Sequence, residues 1–276
     1  MKNRICCLVA VTLLLWTAPP AARAAGFTNA DEVLNFAADK YTSYQSYSTH
    51  FTQMVNAFGP PIKADGDIWF KRPALLRIQV AAPVLGQSKQ MTAVMGADDV
   101  EWQEMVVGNQ TNVLKVDFRQ IPTNNPLSAL IHNPLDGIDP KHQLDEARRR
   151  YDLELLPLGE WQGQPMYVLE GALKTNVHLN AKEASFMRQM GKQKVYIGRE
   201  DGMIHHLDQY ARSGTNVVVA MDFTNIKLNP TLADSLFTYQ PPANVTVVEA
   251  ARQLEQMISH SQSTTGPVLR LPPAGN

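Results

Sequence analysis

The stretch Tyr47-Ser48-Thr49-His50-Phe51-Thr52-Gln53-Met54-Val55 decides the fold class. Tyr47, Thr49, Phe51, Gln53 and Val55 alternate with Ser48, His50, Thr52 and Met54. A period of two puts each set on one side of a pleated strand. The same period persists downstream. Ile62 to Lys71, Leu75 to Ala81, Lys89 to Met95, Val100 to Val107 and Thr111 to Phe118 read as short strands. They are punctuated by Gly59-Pro60-Pro61, Pro83, Gly96 and Gly108-Asn109. Connections this short fit antiparallel meanders, because a parallel crossover takes about a dozen residues or more.

Upstream, Asn29 to Tyr44 reads as a helix. Asn29 can cap it, with Glu32 placed for a capping box. Val33, Phe36, Ala37, Lys40, Tyr41 and Tyr44 keep helical spacing. Downstream, Pro122 to Asp139 is rich in Pro and Asn and holds a short apolar piece, Leu127 to Ile131, expected to make one or two helical turns. Pro140 to Tyr151 reads as a helix whose basic end, Arg148 to Arg150, complements the helix dipole. Strands resume at Asp152 to Leu158 and Met166 to Leu173. Asn180 to Gly191 is expected to be helical and closed by Gly191. Lys192 to Arg199 and Met203 to Ser213 flank Glu200-Asp201-Gly202, a hairpin signal. Thr215 to Lys227 presents Val217, Val219, Met221 and Phe223 on one apolar face. Leu236 to Val248 is the last extended segment, Glu249 to His260 a short amphipathic helix, and 261–276 a disordered tail. No internal repeat and no linker divides the chain. The expected fold class is α+β: one domain over 25–260, a curved antiparallel sheet of about eleven strands forming an open half-barrel, with helices covering the mouth.

Composition narrows the function. The chain has 276 residues, 18% charged, with a net charge of −1, which excludes the basic footprint of a nucleic-acid binder. Lys2 and Arg4, the apolar run Ile5 to Trp16, Pro19-Pro20 and the triplet Ala22-Arg23-Ala24 have the layout of a cleavable secretory signal over 1–24. The apolar run is shorter than the roughly 20 residues a membrane-spanning helix requires. Both cysteines, Cys6 and Cys7, fall inside that signal. The exported protein is then expected to be soluble outside the cytoplasm, without disulfides, thiolate metal sites or a cysteine nucleophile.

Catalytic motifs are missing: there is no Gly-x-Ser-x-Gly elbow, phosphate loop, dinucleotide fingerprint or His-Glu-x-x-His pair. His205 and His206 are adjacent, so on a strand they point to opposite faces and do not suit one metal. Asp98, Asp99, Glu101 and Glu104 read as a solvated turn and strand edge rather than a catalytic pair. No enzyme activity, cofactor or metal is expected. Methionine is the more informative residue, because it accommodates variable apolar ligands. Met54, Met91, Met95, Met105, Met166 and Met221 all fall in strand segments, where core filling is the competing reading. Phe186, Met187 and Met190 share one side of the segment expected to be helical, as a lid or a packed helix would.

The segment Gly66-Asp67-Ile68-Trp69-Phe70-Lys71-Arg72-Pro73-Ala74-Leu75-Leu76-Arg77 resembles the outer-membrane lipoprotein carrier (LolA-like) family. His50-Phe51-Thr52-Gln53, the pair around Asp201-Gly202 ending in Asp222-Phe223, and Leu236-Phe237-Thr238-Tyr239 with Pro241-Pro242 and Val245 fit its pattern, over roughly Asn29 to Val248. The resemblance implies an open curved barrel whose cavity holds acyl chains of lipoproteins crossing the periplasm. It also implies an arginine latch at Arg77, bonded to the backbone of a mid-chain plug at Asn125 to Asn133. The chain departs from the family in length, in the Leu173 to Gly191 insertion and in its tail. The expected function is a periplasmic carrier of the acyl chains of a lipoprotein or lipid between envelope membranes. Its ligand-cavity or latch residues would be Arg77, Trp69, Phe51, Met91, Met105, Leu127, Leu130, Val219, Met221 and Phe223. Its partners would be the acylated lipoprotein or lipid, an inner-membrane donor complex and an outer-membrane acceptor, with the carrier itself a monomer. The alternative is a non-enzymatic envelope sensor or assembly module that uses the same fold for protein contacts.

Overall fold

The structure is a computed structural model describing residues 26–56, 60–84, 86–120, 140–175, 190–212, 214, 216–250 and 252. The segment expected as a signal, Leu127 to Ile131, the segment 176–189 and residues 253–276 lie outside the described residues. Thirteen strands belong to one sheet. β1 (Ser46–Val55), β2 (Ile62–Lys71), β3 (Leu75–Val84), β4 (Gln87–Met95), β5 (Val100–Val107) and β6 (Gln110–Asp117) form one meander. β7 (Tyr151–Leu155), β8 (Gly159–Trp161), β9 (Gln164–Leu173), β10 (Met190–Gly198), β11 (Ile204–Ala211) and β12 (Val217–Leu228) form the second half, and β13 (Val247–Glu249) is added last. The spatial order is β13-β6-β5-β4-β3-β2-β1-β12-β11-β10-β9-β7, with β8 paired to β9. The ends do not meet, so the sheet is a curved, open half-barrel. All pairings are antiparallel except β13 on β6. Two elements add to the expected count: β8 and β13, three residues each, too short to show a period.

Helix α1 (Ala30–Ser43) starts where its cap predicts. The Glu32 N–H donates to Asn29 Oδ1 at 3.0 Å. The return bond of the capping box comes from the Thr28 N–H, at 2.7 Å to Glu32 Oε2, one residue earlier than the motif places it. Val33, Leu34, Ala37 and Tyr41 form its buried stripe. That stripe packs on Tyr47, Phe51, Ile68, Leu76, Ile78, Leu169 and Ile197 in one core. The sheet face carrying these residues is the inner face. Helix α2 (Pro140–Arg150) lies beside α1. Arg148 donates to Asp31 at 2.9 Å and to Asn35 at 2.8 Å. Arg149 and Arg150 hold Glu146, whose carboxyl is lowered to about 2, first by the Arg149 hydrogen bond.

The turn at Asp201-Gly202 seats α1. Gly202 has φ +66°, and a Cβ there would meet Lys40 Cβ at 2.8 Å, so glycine permits both the turn and the close approach. Tyr44 donates to Asp201 O at 2.7 Å, and the Ile204 N–H donates to the Tyr41 hydroxyl at 3.2 Å.

Two expectations need correction. Gly191 does not close a helix; it is the second residue of β10. The closing segment is not one continuous strand. After β12 it runs as a strap over the outer face, through a 3-10 turn (Asp234–Phe237), before β13. Strands β1, β2, β3 and β5 tie it down. Ser46 of β1 donates to Pro230 O, Lys71 of β2 pairs with Asp234 at 2.6 Å, and Arg77 of β3 donates to Leu236 O at 3.2 Å. Tyr239 then donates to Glu104 of β5 at 2.6 Å and packs its ring on Trp102. The strap is the crossover that makes a parallel β13–β6 pair possible, and β13 covers part of the β6 edge.

Candidate functional site

Register sorts the strand residues into cross-strand rows. Phe223 of β12 faces Phe51 of β1, which faces Gly66 of β2. Gly66 faces Val80, Val80 faces Met91, and Met91 faces Met105. This row lies on the inner face, since Phe51 belongs to the α1 core. The next row outward from α1 brings in Met221 opposite Gln53 and Leu207, and the one after it Val219 opposite Val55. Phe51, Met91, Met105, Val219, Met221 and Phe223, expected as lining residues from the sequence, therefore share one face and neighbouring rows. Only Phe51 is fully buried; the other five are half-buried. Half-buried methionine and phenylalanine beside a packed core form an apolar surface able to take up more apolar area.

Gly66 shapes this row. A Cβ there would meet the Phe51 ring at 2.6 Å and the carbonyl oxygen of Gln79. The Phe51 ring lies across the backbone of β2 in the space a side chain would fill.

Two expected residues are on the other side. Trp69 faces Arg77 in register, between the inner residues Ile68 and Phe70, so both point to the outer face. Trp69 is then not a lining residue. Among the described residues the Arg77 side chain donates to Leu236 O in the strap; Asn125–Asn133, the expected latch partner, lies outside the described residues. The physical reason is the pleat: adjacent residues of one strand cannot both reach the inner face. Leu127 and Leu130 lie outside the described residues.

The arginine that reaches a covering helix is Arg72. Its Nε donates to Tyr44 O at 2.8 Å and its Nη2 to Tyr41 O at 2.9 Å. These are carbonyls of the α1 C-terminal turn and its cap, where Tyr41 O also accepts the Tyr44 N–H at 3.4 Å. The guanidinium also sits 5.7 Å over the Phe70 ring, which stacks on Tyr47. Lys71 turns the opposite way, to the strap. The Lys71-Arg72-Pro73 box thus ties the inner helix and the outer strap to the end of one strand. Its presence in the sequence was the available signal, but residue type alone does not say which cation turns inward.

The acidic cluster is dispersed. Asp98 and Asp99 are exposed at a turn and Glu104 binds Tyr239 on the outer face. Glu101 is 0% exposed on the inner face, between Met95 and Val116, which corrects its reading as solvated. Gln103 Nε2 donates to Glu101 Oε1 at 2.8 Å, while Oε2 has no partner among the described residues. Burial raises this carboxyl to about 7 against the weaker opposing effect of Gln103.

His205 and His206 do not converge. His205 pairs with Asp201 at 2.9 Å, whereas His206 lies on the outer face between Asp222 at 2.8 Å and Asp208 at 3.1 Å. Trp161 of β8 stacks on His206 with centroids 3.7 Å apart. Among the described residues, no group of three or more His, Cys, Asp or Glu is placed to hold a metal ion. No helix among them is long and apolar enough to cross a membrane.

No family model matches the chain, and no curated protein matches it. Among solved structures the chain is similar to LprF from Mycobacterium bovis, at 10% identity over 75% of this chain and 97% of that one, with a TM-score of 0.46. It is also similar to the Pseudomonas aeruginosa MucA/MucB complex, at 17% identity over 79% of this chain and 64% of that one, with a TM-score of 0.41. A LolA superfamily protein from Nitrosomonas europaea aligns at 12% identity over 77% of this chain and 99% of that one, with a TM-score of 0.31. Likenesses of this size leave the function to the chain's own geometry.

Proposed function

We propose that the protein is a non-enzymatic carrier that holds acyl chains against the inner face of its half-barrel and moves them within the cell envelope. One observation carries this reading: the half-buried row Phe223, Val80, Met91 and Met105, which extends the α1 core across the N-terminal half of the sheet. Each CH₂ group removed from water contributes about 0.8 kcal/mol, so a sixteen-carbon chain offers roughly 12 kcal/mol gross. That is enough for tight binding after the costs of association. Release then requires a competing closed state in which α1 and its neighbours pack on the same face. Arg72, which fastens α1, is the residue placed to tune that state.

The test is native mass spectrometry of the protein recovered from envelope extracts, together with in vitro uptake of diacyl lipid. Wild type should carry lipid. Met91→Lys and Met105→Lys should fold but lose uptake by at least tenfold, because an ammonium group in an apolar row opposes acyl burial. Recovery of ligand-free protein with no uptake would refute the carrier and favour an assembly module that acts through protein contacts.

A further inference from the structure

Glu101 is an inner-face group that apolar binding leaves unexplained. It is flanked by Met95 and Val116, is sealed from solvent, and carries one oxygen with no hydrogen-bond partner among the described residues. An unpaired buried carboxyl is destabilising, and an apolar residue of similar size would serve the core better. Its neighbour Gln103 uses its amide N–H on the other oxygen and so orients the carboxyl. Gln103 lies in the row between Glu101 and Met105, facing Ala93 and Leu114. The polar pair therefore stands at the α1 side of the methionine row, where the head of a chain lying along that row would arrive.

We infer that Glu101, oriented by Gln103, is a recognition point that accepts a hydrogen bond from an N–H at the head of the acyl ligand. This inference rests on the carrier reading. The ligand class is an acyl compound with an ammonium or amide N–H next to its chains. A ligand entering between the sheet and the elements packed on it would reach Glu101 Oε2 as it opens that contact. The same chemistry has two sources: the amine of a phospholipid headgroup and the amide of an N-acylated polypeptide.

Matched probes separate these. Dioctanoyl phosphatidylethanolamine has N–H donors, and dioctanoyl phosphatidylcholine has methyl groups in their place. A short N-palmitoylated peptide has an amide N–H, and its O-palmitoyl ester counterpart lacks one. Binding is measured by competition against a fluorescent fatty-acyl probe. Wild type should prefer the N–H member of at least one pair by about tenfold or more, and the preferred pair identifies the source. Glu101→Leu should lose the preference, keep affinity for the donor-free probe and melt at a higher temperature. Glu101→Gln keeps an acceptor oxygen and should retain part of the preference. A Glu101→Leu protein that retains the full preference, or a wild type that binds both members of each pair equally, overturns the inference and leaves the carrier reading standing. A wild type that binds none of the four probes overturns both.

Discussion

Arg72→Ala should release α1 without unfolding the sheet. The side chain makes two hydrogen bonds to the last turn of α1, at 2.8 and 2.9 Å. Hydrogen bonds from a charged donor contribute about 1.5–3 kcal/mol each. Arg72 is half-buried, so screening reduces the pair to roughly 2–4 kcal/mol in total. That range corresponds to an increase of about 30- to 1,000-fold in the population with α1 lifted. Hydrogen exchange followed by mass spectrometry reads it directly. Amides of Ala30–Ser43 should exchange faster by that factor, while those of β10 and β11 keep their protection. Arg72→Lys should fall between, because a single ammonium cannot reproduce the guanidinium fork that spans two carbonyls. In uptake assays Arg72→Ala should bind acyl probes at least as tightly as wild type and release them more slowly to acceptor membranes. Unchanged α1 exchange would refute the argument and leave Arg72 as an ordinary surface cation.

Three further outcomes are expected. Arg77→Leu should lose the 3.2 Å bond to Leu236, costing about 1 kcal/mol; exchange should rise in strap peptides near 229–245, and acyl affinity should stay the same. Gly66→Ala should force the Phe51 ring out of its place over β2 and cost about 1–3 kcal/mol by overpacking, seen as a lower melting temperature with weaker uptake. The Glu101 carboxyl is raised by burial from 4.5 to about 7 in the fold, so the native state holds a proton that the unfolded chain releases. Its contribution is fully present below about 4.5 and is lost as pH climbs through about 7, a change of about 3 kcal/mol. Urea midpoints of wild type minus Glu101→Gln should therefore fall across that window, and parallel profiles would refute the burial argument.

Much of this molecule was legible in its sequence, because local rules act over a few residues. The alternation from Tyr47 to Phe118 yields six antiparallel strands, since the pleat sends neighbours to opposite faces. Once Phe51 is placed, the same alternation sorts Met91 and Met105 onto its side. Asn29 and Glu32 mark the start of α1, and Asp201-Gly202 marks the turn beneath it. Alternation does not say which face is inward. Trp69 and Phe70 are adjacent aromatics with equal claims to the core; Phe70 goes in because it meets Tyr47 near α1, and Trp69 goes out beside Arg77. Val100-Glu101-Trp102 reads as an acidic residue exposed between two apolar ones. The strap covers the outer face at Trp102, so the apolar pair is satisfied there and Glu101 is driven into the inner face. Lys71 and Arg72 diverge for the same reason: one meets the strap and the other meets the end of α1. These choices depend on two segments, 30–43 and 229–249, that approach the same strands from opposite sides, the first meeting Arg72 through its cap Tyr44 at a separation of 28 residues and the second meeting Lys71 at 161, and no local pattern encodes meetings at those distances.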